Sequence, residues 1–209
     1  MEKLKLPFVY MVCLLFAAVL LSAVPADNGY QVGDTARDFK LKNVDGKMLS
    51  MADYKDAKGF IVTFTCNTCP YAIAYEDRLI DLHNKYAPKG YPVVAINPND
   101  VKVSPNDSYK KMQQRAKEKN FPYAYLYDET QEITKAYGAT KTPHLYIVQK
   151  QADGSMKVAY IGTIDDNSRD AGKVQKKYAE AALNELVANK QVSQPTTKAI
   201  GCSIKWREA

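Results

Sequence analysis

Cys66 and Cys69, in the run Thr65-Cys66-Asn67-Thr68-Cys69-Pro70, are the residues of this chain best suited to chemistry. A thiolate is both a nucleophile and a metal ligand, and two neighbouring thiols can form a reversible disulfide. The apolar stretch Gly59 to Phe64 in front of them reads as a buried strand. Behind them Ala72, Tyr75, Leu79, Leu82 and Tyr86 recur at helical spacing, and Pro70 suits a first helical turn. The cysteines are therefore expected where a strand hands over to a helix N-terminus, whose free N–H groups and dipole favour a thiolate. Two intervening residues are expected to leave both sulfurs within disulfide reach across one turn.

Two plainer roles compete. A structural bridge this short closes a very small loop and constrains the unfolded chain weakly. A zinc site wants four ligands, and outside the pair the segment after residue 26 offers only His83, His144 and Cys202, none of them paired. Redox chemistry is the better account, and no cofactor or metal is expected.

The strand, the Cys-x-x-Cys-Pro turn, the helix and, far along the chain, Lys141-Thr142-Pro143-His144 before another apolar strand together resemble the thioredoxin superfamily. Phe64-Thr65 and Cys69-Pro70 are similar to the active segment of its peroxiredoxin-like, or redoxin, branch. That branch carries a threonine three residues before its peroxidatic cysteine; here Cys66 stands there, with Thr65 one residue further back. The resemblance covers roughly residues 32–188. It implies an α/β thioredoxin-like fold, with a central mixed sheet, helices on both faces and an N-terminal β-hairpin. It also implies that Pro143 is cis and faces the cysteines, and that the Thr142 backbone can pair with an extended substrate. In the implied mechanism Cys66, at the exposed end of the turn, attacks a substrate disulfide, and Cys69 then displaces the reduced substrate. Glu76 is the nearest carboxylate on the helix face of Cys69; a solvated or ion-paired role is the better account of it, with assistance to Cys69 as the alternative. His144 is expected to point into the sheet or its neighbour, and His83 to lie on a helix surface.

The elements that must position this site follow in order. Val32 to Tyr54 reads as a hairpin turning at Asp45-Gly46, with Ser50 able to cap a short turn. Tyr91 to Ile96 is a second buried strand, and Asn106 or Asp107 can cap a polar helix running to about Lys119. Phe121 to Tyr127 contains a short extended piece, and Glu129 to Tyr137 a short helix stopped by Gly138. Leu145–Val148 and Val158–Ile161 form an antiparallel pair around Asp153-Gly154, and Val174 to Val187 is a last amphipathic helix.

Residues 1–26 stand apart. Lys3 and Lys5 precede an uncharged run from Leu6 to Val24, and Val24-Pro25-Ala26 suits cleavage, so the segment reads as a signal peptide. An uncleaved anchor is the alternative, since the run approaches the ~18–20 residues that span a bilayer. Pro7, Tyr10 and Ser22 shorten its apolar centre and favour cleavage. The protein is then exported, to a bacterial periplasm or beyond, and Cys13 is given no role. Residues 27–189 form one redoxin domain and 190–209 a tail. The formal charge of +6 becomes +5 without the leader. Its densest cluster, Lys110, Lys111, Arg115, Lys117 and Lys119, lies on one helix without a reader motif, so no nucleic-acid partner is expected.

Cys202, in Gly201-Cys202-Ser203-Ile204-Lys205-Trp206, leaves an odd number of cysteines after residue 26. It can resolve an active-site cysteine or simply ride on a tail anchored by Ile204 and Trp206. The tail is expected to pack, while Cys66–Cys69 is expected as the dominant oxidised pair because it is local and Cys202 must be brought in. The chain thus reads as an exported thiol–disulfide oxidoreductase acting on protein or small-thiol substrates with a redox partner. The alternatives are a thiol peroxidase using Cys69, a copper-binding assembly factor needing His144 or His83, and a binding module with an inert disulfide.

Overall fold

A computed structural model describes residues 29–208; residues 1–26, read above as a leader, lie outside them. The strands are β1 (Thr35–Ala36), β2 (Leu41–Asn43), β3 (Met48–Leu49), β4 (Gly59–Phe64), β5 (Val93–Asn97), β6 (Ala124–Tyr127), β7 (Lys141–Thr142), β8 (His144–Lys150), β9 (Met156–Gly162) and β10 (Cys202–Ser203). The helices are α1 (Pro70–Tyr86), α2 (Tyr109–Glu118), α3 (Glu132–Tyr137) and α4 (Tyr178–Val187). Eight strands form one mixed sheet in the order β1-β9-β8-β4-β5-β6-β2-β3, and β7 pairs with β10 in a small second sheet.

The all-apolar runs sit where both faces of the sheet are covered. Ile61, Val93 and Ala95 pack with Tyr75, Leu79 and Leu82 of α1, Met112 of α2 and Leu183 of α4. Phe60, Val62, Phe64, Val94 and Ile96 point the other way, toward Phe39, Met51 and the α3 residues Ile133 and Tyr137. Alternation within two adjacent strands thereby builds two cores. The fold is the expected α/β thioredoxin-like sheet with helices on both faces. The hairpin is narrower than expected: β2 and β3 pair at Leu41↔Leu49 on one edge, while β1 joins β9 on the opposite edge. Ser50 does cap its turn, in a capping box with Asp53. The last helix starts at Tyr178 rather than Val174, with a single 3₁₀ turn (Ala171–Lys173) ahead of it.

Register does the positioning. β4 runs parallel to β5 and antiparallel to β8, with Phe64 opposite His144. Continuing that antiparallel count two residues beyond the paired strands sets Cys66 against Thr142. The central ladder therefore brings the cysteine turn to the Thr142-Pro143 segment across a chain separation of 76 residues.

Gly59 opens β4 where a Cβ would collide with the Val148 carbonyl oxygen and come 2.9 Å from Tyr91 Cδ1. Both neighbours are buried in the ladder and the core. Gly59→Ala should lower unfolding stability by about 2–3 kcal/mol through overpacking. A urea midpoint unchanged from the parent would show that the strand end relaxes freely.

Candidate functional site

The turn after β4 is clamped from one side. The Thr65 amide donates to the Ile96 carbonyl at 2.8 Å, carrying the strand one residue further. At Asn67 and Thr68 the chain bends under a buried carboxylate. Asp107 accepts the Asn67 amide at 2.7 Å, the Thr68 hydroxyl at 3.0 Å, Asn99 Nδ2 at 2.8 Å and Ser104 Oγ at 2.7 Å. Asn67 donates its own side-chain amide to the Asn106 carbonyl and accepts from the Tyr125 hydroxyl, each at 2.9 Å. Asp107 is 0 % exposed and makes no ion pair among the described residues, so these donors carry its charge. The sequence suggested it as a helix cap. Instead a 3₁₀ turn (Pro105–Asp107) aims it at the cysteine turn, and Ser108 stands at the N-cap of α2.

Cys69 is the N-cap of α1, in extended backbone geometry, with its carbonyl accepting the Ile73 amide at 3.0 Å. Pro70 takes the first helical position, as expected. The Thr142–Pro143 peptide is cis, as the resemblance implied. Thr142 is fully buried; its Oγ1 lies 3.3 Å from Cys66 Sγ and its carbonyl oxygen 3.0 Å from Cys69 Sγ.

The disulfide departs from the sequence expectation. Cys69 is bonded to Cys202, with 6.0 Å between their Cα atoms, and Cys66 is free. Two physical reasons account for the difference. The residues between Cys66 and Cys69 are a bend outside the helix, so no helical turn joins the two sulfurs. The tail, moreover, is not a loose segment: β10 lies antiparallel to β7 with Cys202 directly opposite Thr142. Ile204 is 4 % exposed and joins the core beneath α3. The Lys205 amide donates to Asn99 Oδ1 at 2.9 Å, its carbonyl accepts from Asp100 N–H and Gln131 Nε2, and Arg207 pairs with Asp100. Trp206, expected to share the anchoring, is 39 % exposed.

Burial also reverses the expectation for Cys66. It is 4 % exposed, not at an open end of the turn, and Cys69 is 3 % exposed; Cys202 is the partly exposed residue of the three. Burial pushes the Cys66 thiol above its ordinary value and the negative Asp107 adds to that, while the Thr142 hydroxyl and the Thr68 and Cys69 main chain pull it back. Glu76 does not serve Cys69. It is buried in a two-pronged pair with Arg115 at 2.7 Å and lies 3.6 Å from Lys119. His144 is buried, accepts the Thr140 amide at Nδ1, and is driven down to about 4, so it is neutral near pH 7. His83 is half-buried and accepts the Val93 amide, a structural role.

A family model described as the AhpC/TSA family matches residues 32–160. The chain belongs to the AhpC/TSA family. Among solved structures, it is similar to a conserved protein of Geobacillus kaustophilus at 38 % identity and TM-score 0.79, covering 87 % of this chain and 95 % of that one. A hypothetical protein of Sinorhizobium meliloti 1021 gives 31 % identity, the same TM-score, and coverage of 87 % and 98 %. Among curated proteins, the thiol-disulfide oxidoreductase ResA of Geobacillus thermodenitrificans is 24 % identical over 64 % of this chain and 71 % of that protein. The fold and the family make this a redoxin-type oxidoreductase in the broad sense.

The clamp gives a pH signature. In protein with its bridge reduced, alkylation of Cys66 should be slower at pH 7 than that of cysteine in an unfolded peptide and should steepen in the alkaline range. Asp107→Asn should move the Cys66 profile to lower pH, and Asp107→Ala should cost about 2–4 kcal/mol of stability by orphaning buried donors. Profiles that superimpose in parent and Asp107→Asn would remove the carboxylate from the control of Cys66.

Proposed function

We propose that the protein is an exported thiol–disulfide oxidoreductase that exchanges a cysteine disulfide with protein or small-thiol substrates. The observation that carries this reading is the gathering of Cys66, Cys69 and Cys202 around Thr142, two of them bonded and the third free. Cys202, the partly exposed residue of the three, is the one assigned to meet an incoming thiolate. Attack there breaks the Cys69–Cys202 bond and forms a substrate–Cys202 mixed disulfide. Cys69 leaves as a thiolate at the N-terminus of α1, a helix of 17 residues whose free N–H groups stabilise it. A second substrate thiol then releases the substrate as a disulfide and leaves Cys202 reduced. Run backwards, the same steps reduce a substrate disulfide, and a redox partner resets the pair. Export is supported by the basic start and apolar run before Ala26, and by a tail disulfide of the kind that persists in oxidising compartments.

A thiol peroxidase is the second reading, favoured by one observation: Cys69, the cysteine matching the peroxidatic position, is bonded to a remote partner. There the Cys69 thiolate would open the peroxide O–O bond to give a sulfenic acid and water or an alcohol, and Cys202 would condense with it, releasing water. Steady peroxide consumption with a thiol donor would support this reading. The copper reading has no observation behind it: among the described residues no group of three His, Cys, Asp or Glu side chains is placed to hold a metal ion.

Single substitutions separate the cysteines. Cys69→Ser should lower turnover of a small disulfide by at least about a hundredfold and accumulate mixed disulfides on Cys202. Cys66→Ser should retain that turnover within a few-fold. Loss of turnover in Cys66→Ser, with mixed disulfides held by Cys66 in the Cys69→Ser variant, would return the exchange to the Cys66–Cys69 pair.

A further inference from the structure

We propose that the last residues of the tail and the loop after β5 together form a peripheral docking surface for an anionic lipid bilayer. Trp206 is 39 % exposed, Val101 37 % and Val103 50 %, each an apolar side chain left in water. They come from two segments of one pattern, Val101-Lys102-Val103 and Lys205-Trp206-Arg207, in which cations flank or separate the apolar residues. A single buried carboxylate fixes both segments. Asp100, 4 % exposed, accepts the Lys102 amide at 2.7 Å and Arg207 Nε at 2.9 Å, while its own amide donates to the Lys205 carbonyl at 2.9 Å. The Lys205 amide donates to Asn99 Oδ1 at 2.9 Å, and the Ser104 amide closes the loop on the Asp100 carbonyl at 2.8 Å. The two segments are thus fixed side by side with their apolar residues outside the core, an arrangement that marks an interaction site.

The charges around these residues select lipid over protein. Arg207 is neutralised by Asp100, and Glu129 also bears on its charge, so it adds little. Lys102 and Lys205 are exposed and make no ion pair among the described residues. From residue 190 to residue 207 the chain carries Lys190, Lys198, Lys205 and Arg207 and no carboxylate. Lysines are depleted from protein–protein interfaces, whereas a tryptophan with aliphatic neighbours and flanking lysines suits the boundary between acyl chains and anionic headgroups. The indole ring of Trp206 can enter that boundary with its N–H toward the headgroups, and the long lysine stems let both ammonium groups reach phosphate. No helix among the described residues is long and apolar enough to cross a membrane, so this contact lies on the bilayer surface. It sets Cys202, four residues before Trp206, close to the lipid. No sulfur takes part in the contact, which is independent of the oxidoreductase reading.

Trp206 is the only tryptophan of the chain, so its fluorescence reports this surface whatever residues 1–26 do in the same bilayer. The oxidised full chain is titrated with vesicles of phosphatidylcholine alone and of phosphatidylcholine mixed with phosphatidylglycerol in equal parts. The anionic vesicles should shift Trp206 emission to shorter wavelength, and lipids brominated on the acyl chain should quench it; neutral vesicles should need at least about tenfold more lipid. Lys102→Glu combined with Lys205→Glu should weaken the anionic response at least about tenfold. Val101→Ser combined with Val103→Ser, which keeps the charges and the reporter, should also weaken it. Lys150→Glu, a charge reversal at the far end of β8, should leave it unchanged. Emission that ignores both vesicles, or that responds to both alike, would overturn the proposal. A response as sensitive to Lys150→Glu as to the lysine pair would do the same, by assigning it to net charge. A blue shift that grows with protein concentration in the absence of lipid would give the surface to a second copy of the chain and overturn the proposal as well.

Discussion

Thr142 is the point on which the site depends. Its hydroxyl meets Cys66, its carbonyl meets Cys69, and its main chain faces Cys202 across a ladder. No local segment could assemble these groups, since they come from three separated parts of the chain. The assembly is enforced by the antiparallel register of β4 against β8, whose strands are buried on both faces and cannot slip by one residue without turning every apolar side chain the wrong way.

The disulfide and the tail reinforce one another. A bridge spanning 133 residues restricts the unfolded chain far more than a Cys-x-x-Cys bridge, on the order of 5 kcal/mol in the chain-entropy picture. The tail also has its own holds: the buried Ile204, the Lys205 main-chain contacts with Asn99, Asp100 and Gln131, and the Arg207–Asp100 pair. These hold Cys202 beside Cys69 before any bond forms, which removes most of the loop-closure cost that would otherwise favour the nearer Cys66.

Much of this was legible in the sequence. The apolar runs, the helical spacing after Pro70 and the Thr142-Pro143 segment before an apolar strand define the central ladder and its site. Two features were read for the wrong purpose. Asp107 looked like a cap because a short acidic residue ahead of a polar helix suits a cap and a buried clamp equally; only the third dimension shows Asn67 and Thr68 as its donors. The tail was expected to pack through Ile204 and Trp206 but not as a strand that delivers Cys202, although Gly201-Cys202-Ser203-Ile204 carries a strand's alternation, with Cys202 and Ile204 on one side. The buried state of Cys66 was not readable at all, because Thr142 and the Asp107 clamp that enclose its turn come from distant parts of the chain.

In the proposed function, Cys69 and Cys202 form the working disulfide and Cys66 stays a thiol. Direct mapping decides it: the oxidised protein is alkylated under denaturing, non-reducing conditions, digested, and its linked peptides identified by mass. A Cys69–Cys202 linked peptide should be the main species, with the alkyl group on Cys66. A Cys66–Cys69 linked peptide with an alkylated Cys202 as the main species would contradict it.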